Sequence, residues 1–167
     1  MSESTIKGAI AEAAIALAAI ELGIFVLRPL VEGRRYDLLF DTGDRLLRVQ
    51  CKWAPQRGNV VVVNLRTHRC TPHGYVRSTY TADEVDGIGV YCQALKRCFY
   101  VPIEKVQRRR VLHLRLAPAA NNQEAAINWA ADFELGAIAQ LGERLAGSQK
   151  VVGSSPTSSI SNVRPLR

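Results

Sequence analysis

The sequence predicts an α/β fold, a mixed central β-sheet flanked by helices. Three observations carry that expectation. An apolar, helix-compatible run opens the chain over residues 4–23; short β-branched or alternating runs, separated by turn residues, occupy 24–116; a capped helical segment follows from Asn121 to about Phe133. At 167 residues and 47% apolar content the chain can bury one core, so a single packed domain is expected.

The elements follow in order. Ser4 or Thr5 is placed to cap the first helix, and Gly23 to stop it. Residues 24–27 read as a short strand. Residues 36–40 and 46–53 flank Asp41, Thr42, Gly43 and Asp44, which have hairpin-turn chemistry. The β-branched run 60–65 gives another strand, and the basic, irregular stretch 66–77 reads as a loop. After a turn or short helix at 80–84, residues 88–92 and 98–101 suit a hairpin around 94–97. Residues 111–116 alternate cleanly, as an edge strand would.

Charge narrows the partner. Twenty-two basic against 15 acidic residues give +7 and a pI near 9.6, which favours an anionic partner, nucleic acid before membrane. Four cysteines, Cys51, Cys70, Cys92 and Cys98, without a secretory leader point to a reducing interior rather than a disulfide scaffold. The apolar run 9–20 is interrupted by Glu12 and is too short to span a bilayer. The expectation is therefore a cytoplasmic protein, nucleoid-associated when bound, with no membrane partner.

The stretch RLLRVQCKWA, residues 45–54, sets an amide and an ammonium two apart within an apolar strand. Side chains alternate, so Gln50 and Lys52 share one face while Val49 and Cys51 share the other. Folding the preceding hairpin brings Asp37 near residues 48–50, where it converges with Gln50. Glu12 lies on a stripe of small residues, Thr5, Gly8, Ala16, Ala19 and Gly23, with Ile6, Ile10, Leu17 and Ile20 to the side of it. That stripe permits close approach, so Glu12 is expected to point inward, where a buried charge needs a metal or a lysine. A carboxylate and a carbonyl-type oxygen can hold Mg2+, and a lysine beside them can orient a water and offset phosphodiester charge. Phosphodiester cleavage suits this set.

The arrangement resembles the PD-(D/E)XK nuclease superfamily. Gly8 and Glu12 stand in the first helix, Tyr36-Asp37 at the PD position and Gln50-Cys51-Lys52 at (D/E)XK. Residues 7–54 look like both Holliday-junction resolvases and group I intron-associated homing endonucleases. The later stretches 85–91, 99–102, Pro118 with Asn121-Asn122-Gln123, and Ile127 with Trp129-Ala130 are similar to the second branch in order and spacing. Tyr36 replaces the motif's proline, and Gln50 replaces its second carboxylate. The resemblance implies a restriction-endonuclease-like core over residues 1–135 and Mg2+-dependent hydrolysis of double-stranded DNA, with Mn2+ as a possible substitute. It assigns Asp37, Gln50, the Cys51 backbone carbonyl and Glu12 to the metal, and Lys52 to the water and the developing charge. A small core must associate to cover a long DNA site, so a homo-oligomer, dimer or tetramer, is expected. Alternatives are a structure-specific junction resolvase and an inactive DNA-binding remnant.

Other candidates are weaker. His68, Cys70 and His73 with Cys92 or Cys98 do not have a usual zinc spacing. Arg57, Arg66, Arg69, Arg77, Arg108, Arg109 and Arg110 are candidates for DNA phosphate contact. Asp86 reads as structural, pairing with a basic loop.

From about residue 136 to 167 the chain turns rich in Ser, Gly and Pro, and a poorly packed tail is expected. Residues 138–144 back-translate naturally to a tRNA D-arm, and 153–156 to a T-arm. The hypothesis is that the reading frame runs into a tRNA gene. Sequencing the genomic locus tests it: a tRNA gene overlapping the last codons is expected, and its absence rejects the idea.

Overall fold

The computed structural model describes residues 1–31, 33–71, 74–118 and 126–138, with backbone alone for 67–71 and 74–77. Helix α1 spans Glu3–Glu21. Its cap is Ser2, ahead of the expected Ser4 or Thr5, because the extended Ser2 hydroxyl accepts from the Thr5 N–H at 3.3 Å. Gly23 ends it as expected. At φ 77° it donates to the Ile20 carbonyl, and Ile24 reaches back to the Ala19 carbonyl, a left-handed exit that glycine adopts without strain.

The strands are β1 Phe25–Leu27, β2 Leu38–Asp41, β3 Leu46–Trp53, β4 Gln56–Arg57, β5 Val60–Asn64, β6 Thr67–Thr71, β7 Gly74–Ser78, β8 Gly87–Cys92, β9 Arg97–Pro102 and β10 Val111–Arg115. A short helix α2, Ile103–Val106, follows β9. The central sheet runs β1-β2-β3-β8-β9, parallel between β3 and β8 and antiparallel elsewhere, so the predicted mixed sheet holds. A smaller antiparallel sheet, β10-β5-β4, has β10 at its edge as the alternation implied. Hairpin residues 42–45 join β2 to β3, with Leu38 opposite Val49.

Alternation in β3 divides the molecule. Leu47, Val49 and Cys51 are buried toward α1, where Ala11, Ile15 and Ala19 meet them. A Cβ on Gly89 of β8 would lie 3.0 Å from Ile15 Cγ2 and 3.1 Å from Val49 Cγ1, so this glycine lets the helix seat closely. On the other face Ile88, Val90 and Cys92 pack with Val61 and Val63 of β5 and Leu112 and Leu114 of β10.

Two expectations change. The stretch 66–77 holds a two-stranded ribbon, β6 paired with β7, rather than a loop. Thr67, Thr71, Tyr75 and Val76 are strand formers, and the intervening charges concealed them. The helix expected from Asn121 to Phe133 is not continuous. Its first residues, 121–125, lie outside the described residues; Arg115 N–H bonds the Asn128 carbonyl, Trp129 is extended, and among the described residues 126–133 only a 3-10 turn at Ala130–Phe133 is helical. On α1 the packed residues are Ala11, Ile15 and Ala19, which leaves Ile6, Ile10, Leu17 and Ile20 exposed. Leu135 and Ile138 are buried in the same cluster as Ala11, Ile15 and Ala19. The tail from 139 lies outside the described residues.

One polar clamp ties the parallel pair together. Asp86, just before β8, accepts from Arg48 N–H at 2.7 Å, Nε at 2.9 Å and Nη2 at 2.9 Å. Arg48 also reaches the Ala82 and Asp83 carbonyls. The Arg48 hydrogen bonds hold the Asp86 carboxyl below the ordinary aspartate range. Both side chains are about one-third exposed, so solvent screens the pair. Asp86→Ala is expected to cost about 2 kcal/mol in denaturant unfolding at neutral pH. A depressed carboxylate stabilises above its unfolded pKa and loses that contribution as pH falls through the folded value. The wild-type advantage should therefore shrink in acid, and an advantage independent of pH would reject the ionic account.

Candidate active site

The period of β3 aims Arg48, Gln50 and Lys52 away from α1, and the β2 register sets Asp37 beside Gln50. The Asp37 N–H bonds the Val49 carbonyl at 2.9 Å. Its carboxylate Oδ2 accepts from the Cys51 N–H at 2.8 Å and from Gln50 Nε2. Gln50 Nε2 also approaches the Cys51 carbonyl at 3.4 Å. The Asp37 and Cys51 oxygens thus converge on one positively polarised group. A hard divalent cation takes that kind of oxygen set, so the residues present fit such a cation.

Lys52 is half-buried, its Nζ 5.2 Å from the centre of the Tyr80 ring. Burial lowers its pKa, with Asp37 opposing and Arg35 assisting. Burial raises the Asp37 pKa; the Cys51 N–H opposes, and the Glu12 carboxylate adds to the rise. Both shifts move the pair toward its neutral forms, the direction that low dielectric imposes on charged groups.

Glu12 departs from the expectation. Its side chain is 29% exposed rather than buried, and its partner is Arg28, not a lysine. It still faces Asp37 across a pocket of about 550 Å³ that Arg28, Arg34 and Tyr36 also line. Arg28, Arg35 and Tyr80 were not found in the sequence. Arg35 bonds Glu84 at 3.0 Å and Ser78 at 2.8 Å and lies 5.4 Å from the Tyr80 ring centre. None of the three sits in a local pattern that marks it, because each reaches the site only through the fold.

The remaining candidates separate. Cys51 faces the α1 core as expected, and burial pushes its thiol far up. Cys92 and Cys98 belong to opposite cores, and among the described residues no three His, Cys, Asp or Glu gather as a metal cluster. Arg110 accepts from the Leu65 N–H, so Arg108, Arg109, Arg110 and Arg66 share the end of the small sheet from which the ribbon departs. Arg57 pairs with Val60 at the opposite end. Arg69 and Arg77 stand on the ribbon backbone, and their side chains lie outside the described ones. No described helix is long and apolar enough to cross a membrane.

The raised Asp37 pKa has a consequence for stability. Protonated Asp37 favours the fold; that contribution is complete below the ordinary aspartate pKa and is lost as pH rises through the folded value. Asp37→Asn, neutral at all pH, is expected to raise the melting temperature by a few degrees at neutral pH in chelator and to change it little in acid. Thermal melts at both pH values check this, and a less stable variant at neutral pH rejects it.

Comparison with known proteins agrees with this fold. The solved structure of a bacterial homing endonuclease, I-Ssp6803I, superposes with a TM-score of 0.68, covering 90% of this chain and all 100% of that one. At 24% identity the likeness is one of fold. No curated protein matches the sequence. The family described as PD-(D/E)XK endonuclease matches residues 2–136, which contain Asp37, just before β2, and Gln50 and Lys52 on β3. The chain belongs to the PD-(D/E)XK endonuclease family.

Proposed function

We propose that the protein hydrolyses phosphodiester bonds of double-stranded DNA with Mg2+, or with Mn2+ in its place, as a site-specific homing endonuclease acting in the cytoplasm. The observation that carries the reading is the meeting of Asp37, Gln50 and Lys52 on one face of paired strands, beside a pocket. Asp37 and the Cys51 carbonyl are the proposed holders of the cation, joined by the Gln50 side-chain oxygen once its amide turns over from the Nε2-inward arrangement, with Glu12 contributing a carboxylate across the pocket. A bound divalent cation supplies polarisation of the scissile phosphate and a more acidic water.

The chain's own residues do the rest. Lys52, with a lowered pKa, orients the attacking water and donates to the phosphate oxygen as charge develops. Tyr80 packs against the ammonium and limits its hydration. Arg66, Arg108, Arg109 and Arg110 contact phosphates at the ribbon's base, and Arg57 does so at the far end of the small sheet. The ribbon is narrow enough to enter a major groove. Each chain carries one such site, so cutting both strands calls for two copies, hence a homo-oligomer.

Incubating supercoiled plasmid, DNA from the protein's own locus and a four-way junction with and without Mg2+ tests the proposal. Linear product from the locus DNA is expected only with metal, and none from Asp37→Ala. Lys52→Ala should lower the rate about 100-fold or more. Gln50→Glu should reach half-maximal rate at lower Mg2+, because it restores a negative charge at the cation. Preferential cutting of the junction would favour a resolvase. Absence of metal-dependent cleavage on all three substrates would leave a DNA-binding remnant.

A further inference from the structure

Helix α1 has two apolar faces, and the fold uses one. Ala11, Ile15 and Ala19 are buried on the sheet, whereas Ile6, Ile10, Leu17 and Ile20 are 43%, 41%, 58% and 58% exposed. With Ala13, also exposed, these residues follow one another at steps of 4, 3, 4 and 3, the alternation of a coiled-coil seam. Single exposed aliphatic residues need no account, but a seam along a whole helix does.

The flanks of that seam select its occupant. With Ile10 and Leu17 at a positions and Ile6, Ala13 and Ile20 at d positions, Lys7, Ala14 and Glu21 fall at e and Ala9, Ala16 and Gly23 at g. In an antiparallel helix pair, e faces e and g faces g. Setting Ile10 against the partner's Ile20, and Ala13 against the partner's Leu17, brings Lys7 to the partner's Glu21, and by symmetry the same pair forms again. The small g residues meanwhile allow the backbones to approach. Moved by one heptad, Lys7 meets the partner's Ala14. In a parallel pair, where e faces the g of the preceding heptad, Lys7 meets Ser2 and Glu21 meets Ala16, so neither charge finds an opposite one. Lys7 already bonds Glu3 of its own helix at 2.6 Å but has further donors, and Glu21 has no ion pair among the described residues.

We infer that the outer face of α1 is a homodimer seam, occupied by α1 of a second copy running antiparallel about a two-fold axis. The contact is isologous, and its helices are already held by the sheet, so association orders little new chain. One helix per partner is a small interface, and the dimer is therefore concentration-dependent. The inference names the contact for the two-copy arrangement in the proposed function and rests on that reading for its use. Its test reads mass in the absence of DNA, independently of cleavage.

Light scattering of the full chain over a concentration series is expected to show at least twice the chain mass. Leu17→Glu, at an exposed position, should halve the wild-type mass while circular dichroism and the melting temperature stay unchanged. Lys7→Glu and Glu21→Lys should each weaken association several-fold, and the double exchange should recover most of the loss. A wild type that is monomeric throughout overturns the inference. So does a Leu17→Glu variant that keeps the wild-type mass, or a double exchange no better than the single ones. Failed cleavage with an intact mass series would count against the enzymatic reading alone.

Discussion

The two-residue period of β3 is the constraint on which the rest depends. Leu47, Val49 and Cys51 enter the core beneath α1, so Arg48, Gln50 and Lys52 must leave on the other face. A slip of one residue against β2 would bury the amide and the ammonium under the helix, which no partner there could satisfy. The Asp37 carboxylate, accepting from the Cys51 N–H, belongs to the same register that assembles the site. Fold and chemistry are therefore specified by one alignment of two strands.

Two polar groupings on β3 illustrate different uses of charge. Arg48 and Asp86 are fully engaged with each other and with neighbouring backbone, and together they hold β3 to the start of β8. Asp37 and Lys52 are instead driven by burial toward their neutral forms. A pair that stabilises the fold satisfies its charges internally, whereas the second pair leaves charge to be answered by something brought to the pocket.

Gln50 lies between these uses. Its amide donates to both the Asp37 carboxylate and the Cys51 carbonyl, oxygens that would otherwise lie close together with no shared donor. A glutamate there would add a second negative charge next to Asp37, and Glu12 already contributes to its raised pKa. The amide keeps the strand pair compatible with a single buried carboxylate, and Arg28 holds the charge of Glu12 at the pocket's rim.

The sequence by itself determined the mixed sheet, the positions of its principal strands along the chain and the convergence of Asp37 with Gln50 and Lys52, because strand alternation and hairpin register are local rules. It also indicated that Asp86 is structural. It could not determine which face of α1 packs: Ile6, Ile10, Leu17 and Ile20 are at least as apolar as Ala11, Ile15 and Ala19, and the room that Gly89 leaves for Ile15 seats the second set. Nor could it find the β6–β7 ribbon beneath its charges, or Arg28, Arg35 and Tyr80, which reach the site from separate segments. Periodicity is written along the chain, but partners brought together across it are chosen by the shape of the packed surfaces, and that choice was left to the tertiary structure.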